Sequence, residues 1–217
     1  MAIAFDTSSI GTLANPATGI TKSHTVTGSD AILFAAGGIP TSDKLTSATF
    51  DGDAMTKIEA FQIGDARGCY LLYIVVGTGS GTPLNVVLNG TSDAWQVGIA
   101  SYTGADQTTP IDVSTRNNGT GSQTYTDDLT TTVDGCYIVG SYRAGTNLID
   151  FNDTDVLQSA NGLSIFDDRS ATTAGTITVE MRQSGGTGAG GWVLAAFKPA
   201  TAGAANSVKS INGISNV

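Results

Sequence analysis

Histidine is almost missing from this sequence: His24 is the only one. A Ser-His-Asp triad or a cysteine–histidine dyad has to use it. It sits in the alternating run of residues 22–27 (Lys-Ser-His-Thr-Val-Thr) and no Gly-x-Ser-x-Gly elbow accompanies it, so it reads as a structural histidine on a strand. Cysteine is nearly as scarce. Cys69 and Cys136 are too few for a disulfide scaffold. Each lies in an apolar run, where a thiol packs as a small hydrophobe, so two buried free thiols are expected. One histidine and two cysteines on separate strands do not make a zinc ligand set. Charged residues make up 13% of the chain, against a usual share of about 25%. The ten lysines and arginines are scattered singly within a net charge of −9. That distribution argues against nucleic acid and against an anionic membrane surface as partners. The acidity itself reads as solubility. No apolar run approaches the roughly 20 residues that span a bilayer. The opening residues 1–6 lack the basic and long apolar regions of a signal peptide. Synthesis in the cytoplasm is therefore expected, with any exit by another route such as host lysis. A Gly-x-x-x-x-Gly-Lys-Ser/Thr phosphate loop is also missing, and the Gly185–Gly191 run lacks the lysine and helix that would make one.

What the sequence has is Gly, Thr, Ser and Asn in short, strand-like units. Residues 22–27 alternate, Gly28-Ser29-Asp30 turns, and residues 31–36 form an apolar run, a hairpin signal. Asp51-Gly52 between residues 45–50 and 54–60 is a stronger one. Residues 69–76 are apolar throughout, as in a central strand covered on both faces. Further strands are expected at 84–88, 94–102, around 111–115, 123–132 and 136–142, with short ones in 147–168. Residues 176–182 alternate cleanly, with Ile177, Val179 and Met181 on the apolar face. A Gly-rich loop follows, and Trp192–Phe197 closes the set. Strands spaced by about 8–12 residues with turns between them predict an all-β fold, a two-sheet antiparallel β-sandwich of jelly-roll type. A chain of this length buries roughly 70% of its unfolded surface without disulfide or metal. Gly68-Cys69-Tyr70 and Gly135-Cys136-Tyr137 echo each other and read as two equivalent core strands, not as a repeat architecture.

Four stretches carry a resemblance. They are residues 2–6 (Ala-Ile-Ala-Phe-Asp), 23–34 (Ser-His-Thr-Val-Thr-Gly-Ser-Asp-Ala-Ile-Leu-Phe), 97–110 (Val-Gly-Ile-Ala-Ser-Tyr-Thr-Gly-Ala-Asp-Gln-Thr-Thr-Pro) and 192–199 (Trp-Val-Leu-Ala-Ala-Phe-Lys-Pro). Together they resemble a family of jelly-roll, concanavalin-like domains found in tailed-phage virion proteins and in some secreted bacterial proteins. The resemblance spans residues 2–199 and implies a virion or cell-surface setting rather than a reaction. The Ser-Val-Lys-Ser-Ile-Asn-Gly segment starting at Ser207 also looks like the short tails that end phage tail proteins.

The composition changes after Pro199, so residues 1–199 are expected as the sandwich and 200–217 as a flexible tail. In that tail Val208, Ile211, Asn212 and Ile214 are candidates for docking on a neighbouring chain by strand addition. Asp150, Asn152, Asp153 and Asp155, with Asp167 and Asp168, are the acidic clusters to weigh for calcium. Without the glycine and terminal glutamate of an EF-hand loop they read as acidic turns, and no cofactor or metal is expected. Trp95, Trp192 and Tyr102 are the aromatic candidates for a sugar platform, but all lie on core-like strands. The expectation is a non-enzymatic structural protein of a bacteriophage virion, as capsid decoration or tail component. It would be displayed in multiple copies as a homo-oligomer against major capsid or tail proteins. The alternatives are a lectin-like module contacting host surface glycans and a glycan hydrolase on the same fold.

Overall fold

The computed structural model describes residues 2–39, 45–63, 67–119, 124–144, 148–151, 154–160, 163–171, 173–183 and 190–201. The chain is all-β and antiparallel, built as a two-sheet sandwich. Among the described residues one sheet has seven strands: β1 (Ala4–Thr25), β2 (Ala31–Ile39), β3 (Leu45–Phe50), β4 (Asp53–Ala54), β5 (Thr56–Ile63), β6 (Arg67–Gly77) and β7 (Pro83–Thr103). The other has eight: β8 (Ile111–Gly119), β9 (Thr124–Thr130), β10 (Cys136–Ala144), β11 (Leu148–Phe151), β12 (Thr154–Ala160), β13 (Leu163–Ala171), β14 (Thr176–Gln183) and β15 (Gly190–Phe197). Each sheet therefore comes from one half of the chain.

The period-2 alternation of strand side chains sorts the core. In β2, Leu33 and Ala35 point into a core that also holds Ile20, Phe50, Met55, Val86 and Leu88. That set requires the first sheet to fold over itself, and the long strands β1 and β7 make the fold. The first part of β1 pairs with the second part of β7 (Leu13 opposite Trp95), and its second part pairs with the first part of β7 (Ile20 opposite Leu88). The other face of β2, Ile32, Phe34 and Ala36, packs between the sheets with Val139, Val193, Ala195 and Phe197 of the second half. The second sheet encloses its own core of Tyr125, Leu129, Ile138, Tyr142, Val179, Trp192 and Leu194.

The second half repeats the ladder of the first. β10 lies between β13 and β15 as β2 lies between β6 and β7. β8 and β9 take the places of the two parts of β1, β14 and β15 those of the two parts of β7, and β11, β12 and β13 those of β3, β5 and β6. The registers agree residue by residue. Leu33 faces Ser101 as Ile138 faces Ala196, and Gly37 faces Val97 as Tyr142 faces Trp192. Even the bulges coincide. The slip between Lys57 and Glu59 matches that between Val156 and Gln158, and the slip between Leu45 and Ser47 matches that between Leu148 and Asp150. Where β7 and β15 end, the corresponding segments pair with each other: Ala105 bridges Pro199 antiparallel, Asp106 N–H donates to the Lys198 carbonyl at 2.9 Å and Ala200 N–H to the Gly104 carbonyl at 2.7 Å. Elements related by a two-fold axis meet in that way.

Several sequence expectations change here. The Gly-Cys-Tyr echo does not mark equivalent strands, because β10 corresponds to β2 and β6 to β13. The repeat is in the ladder, not in that tripeptide. Gly28-Ser29-Asp30 is a corner, not a hairpin turn. Gly28 and Asp30 have φ of 73° and 50° and reverse the chain, but β1 and β2 then pair with different parts of β7. Residues 84–88 and 94–102 are one bent strand. Asp51-Gly52 is the hairpin the dipeptide signals, with φ of 52° and 90° between β3 and β4. β6 is covered on both faces: Tyr70 and Leu72 enter the first core, Cys69 and Leu71 the core between the sheets.

Candidate functional site

Among the described residues, a cluster of chemistry-bearing side chains lies where β1 and β7 meet. β1 slips its register between Phe5 and Thr7, leaving Asp6 at the bulge. Its carboxylate accepts from the Thr27 backbone N–H at 2.9 Å and from the Thr27 hydroxyl, tying the strand to the corner before β2. Ser101 Oγ of β7 donates to Asp6 Oδ2 at 2.8 Å. With that hydrogen spent, Ser101 Oγ accepts from His24 Nε2 at 3.0 Å, and Ser9 Oγ donates to His24 Nδ1 at 2.9 Å. The network thus fixes the Nε2–H tautomer of His24. His24 is 3% exposed and Ser101 fully buried. Burial pushes the imidazole down to about 4, against a smaller opposite pull from Asp6. Burial raises the Asp6 carboxyl, but the Thr27 and Ser101 hydrogen bonds and the nearby histidine outweigh it and hold it below the usual carboxylate value.

Serine, histidine and aspartate meet here in the wrong order for a hydrolase. In a triad the carboxylate orients the histidine and the histidine activates an accessible serine. Here the carboxylate binds the serine, both imidazole nitrogens are occupied by hydroxyls, and the serine has no path to a substrate. The arrangement is a staple joining both parts of β1 to β7 and the corner.

The second half holds the matching clamp. The β8–β15 register slips around Asp112, whose carboxylate accepts from the Thr132 N–H at 2.7 Å and from the Thr132 hydroxyl. The remainder is different. Leu129, Ala196 and Thr115 stand where the first half has His24, Ser101 and Ser9, and Cys136 stands where it has Ala31. Cys136 Sγ reaches Asp112 Oδ2 at 3.7 Å; burial, then the Asp112 charge and hydrogen bond, push this thiol up to about 11. The Asp–Thr pairs were visible in the sequence as Phe5-Asp6 with Thr27 and Ile111-Asp112 with Thr132, but only the shared register gives that echo a meaning.

The remaining candidates fall as follows. Cys69 and Cys136 are buried thiols that are not joined in a disulfide. Tyr102 and Trp192 are core residues, which removes them as sugar platforms. Tyr102 is enclosed by Phe34 and Phe197, and Trp192 stacks near Tyr125 with its Nε1–H on Asp127 Oδ2 at 2.9 Å. The side chain of Trp95 lies outside the described residues, as do those of Met181, Asp150, Asp155, Asp167 and Asp168 and all of Asn152 and Asp153. The backbone register sets Asp155 opposite Asp167. Among the described residues no group of three or more potential metal ligands is present. Val208, Ile211, Asn212 and Ile214, the docking candidates, lie outside the described residues. Across the two halves, buried Arg143 donates through Nη1 to Gln96 Oε1, and the exposed Arg116 donates to the Ala60 carbonyl at 2.9 Å.

No protein-family model matches the chain, and no curated protein matches it. Among solved structures it is similar to that of the PBSX exported protein XepA, a phage-related protein, at a TM-score of 0.27 and 7% identity over 87% of this chain and 86% of that one. A likeness that weak transfers nothing to this chain.

Proposed function

We propose that this chain is a non-enzymatic structural protein of a bacteriophage virion, a capsid decoration or tail component present in multiple copies and exposed on the particle. One observation supports the reading above the others: the one histidine, with the serine and aspartate beside it, is used as an internal staple. His24, Ser101 and Asp6 lock β1 to β7, and Asp127 anchors Trp192. A block whose serine, histidine and aspartate are spent on joining its own strands suits a part whose task is to hold shape. The sequence resemblance to virion jelly-roll domains points the same way. Host glycans lose two of their three aromatic candidates to the core, so the structural reading is preferred.

The test is composition. Particles purified through a density gradient should carry the chain at a fixed copy number per particle, measured by quantitative mass spectrometry and retained through a high-salt wash. Its complete recovery as free protein, with particles lacking it, would refute the proposal.

A further inference from the structure

The corresponding positions of the two halves differ most sharply at the one histidine. His24 lies on the second part of β1, which in the described structure pairs with β7 alone, so this part can leave without breaking another ladder. Its ring is held between hydroxyls of Ser9 and Ser101, and Ser101 passes on to Asp6 and so to the Thr27 corner. We propose that this chain of contacts is an acid-sensitive latch: protonation of His24 frees the edge part of β1 from β7 in the first half, while the second half, with Leu129 and Ala196 in the corresponding places, stays shut.

The protonation step is simple. Nδ1 takes a proton from solvent, and the Ser9 hydroxyl that had donated to it must turn and accept. An imidazolium then sits in a buried wedge, with Asp6 beyond Ser101 as the one charge among the described residues that acts on it. From β7 the neighbours are Leu84, directly opposite in the ladder, and Ser101, and from the first part of β1 Ser9; none of these ionises in this range. A buried cation with one indirect counter-charge is poorly compensated. Carrying His24 into water relieves it at the cost of a single edge ladder. The burial that holds this imidazole near 4 supports the same direction.

The sole histidine makes the experiment unambiguous. In the full chain, long-range nitrogen–proton NMR follows His24 from pH 7.5 to 4. Hydrogen exchange with mass spectrometry, corrected for intrinsic rates, compares residues 19–25 and 83–89 with residues 124–130 and 176–182. The expected result is a His24 midpoint well below its ordinary value, with exchange in the first pair of segments rising more than about tenfold between pH 7 and 5 and the second pair unchanged. The double variant His24→Leu, Ser101→Ala, which copies the second half, should flatten that response. Equal acceleration in both halves, an ordinary His24 midpoint without acceleration, or a double variant that keeps the response would overturn the latch. If the double variant does not fold, the segment comparison in the unmodified chain decides.

Discussion

At matching places on one backbone, the first half buries a histidine against a serine and the second buries a leucine against an alanine. The Asp6–Thr27 clamp has its twin in Asp112–Thr132, yet the networks behind them differ, three side chains in the first half and a thiol in the second. The ladder, its bulges and its corner clamps are thus what both halves hold in common, and the filling is free to vary. Such a division is expected when register and bulges set the architecture and any well-packed filling completes it.

The comparison breaks most severely at the surface the halves share. Phe34 of β2 packs on Phe197 of β15 with ring centroids 4.9 Å apart. Phe34→Ala should cost about 3–5 kcal/mol and lower a single calorimetric transition, because both halves lose the contact; two separate transitions would show that they unfold independently. Next is the join. Gly104 has φ of 72°, and a Cβ there would stand 2.4 Å from the Ala2 carbonyl oxygen. Gly104→Ala should cost about 2 kcal/mol or more, measured by urea unfolding, whereas Gly52→Ala in the open β3–β4 turn should cost about 1 kcal/mol.

The clamps sharpen the comparison. Asp6→Ala and Asp112→Ala should each cost about 1 kcal/mol, and Asp6→Ala more, since Asp6 also holds Ser101. Equal urea midpoints for the two variants would mean that the His24 network adds nothing. The pH dependence follows the same asymmetry. His24 binds its proton more weakly folded than unfolded, so its contribution is intact above about 6.5 and is lost as pH falls toward 4, up to about 3 kcal/mol. The smallest effect is chemical. Neither Cys69 nor Cys136 should react with a thiol reagent at pH 8 in the folded chain, and both should react once urea unfolds it.

Much of the strand content was legible. The apolar runs of β2, β6 and β15 and the Asp51-Gly52 hairpin follow from local pattern. The partners did not follow, because ladder register is set by residues far apart in sequence. β7 looked like two strands because polar residues 89–93 interrupt its alternation, and the Gly28 corner looked like a hairpin because both use positive φ. The repeat was hidden for a related reason: few identities, such as Asp6 with Asp112 and Thr27 with Thr132, survive between the halves. The His24 network was invisible because Ser9, Ser101 and Asp6 carry no spacing that announces it.

The most direct test of the account is electron cryo-microscopy of the native particle. The prediction is a regular array of this chain, each copy showing two matched β-lobes face to face around Phe34 and Phe197. Particles whose density has no place for such a two-lobed unit would contradict it.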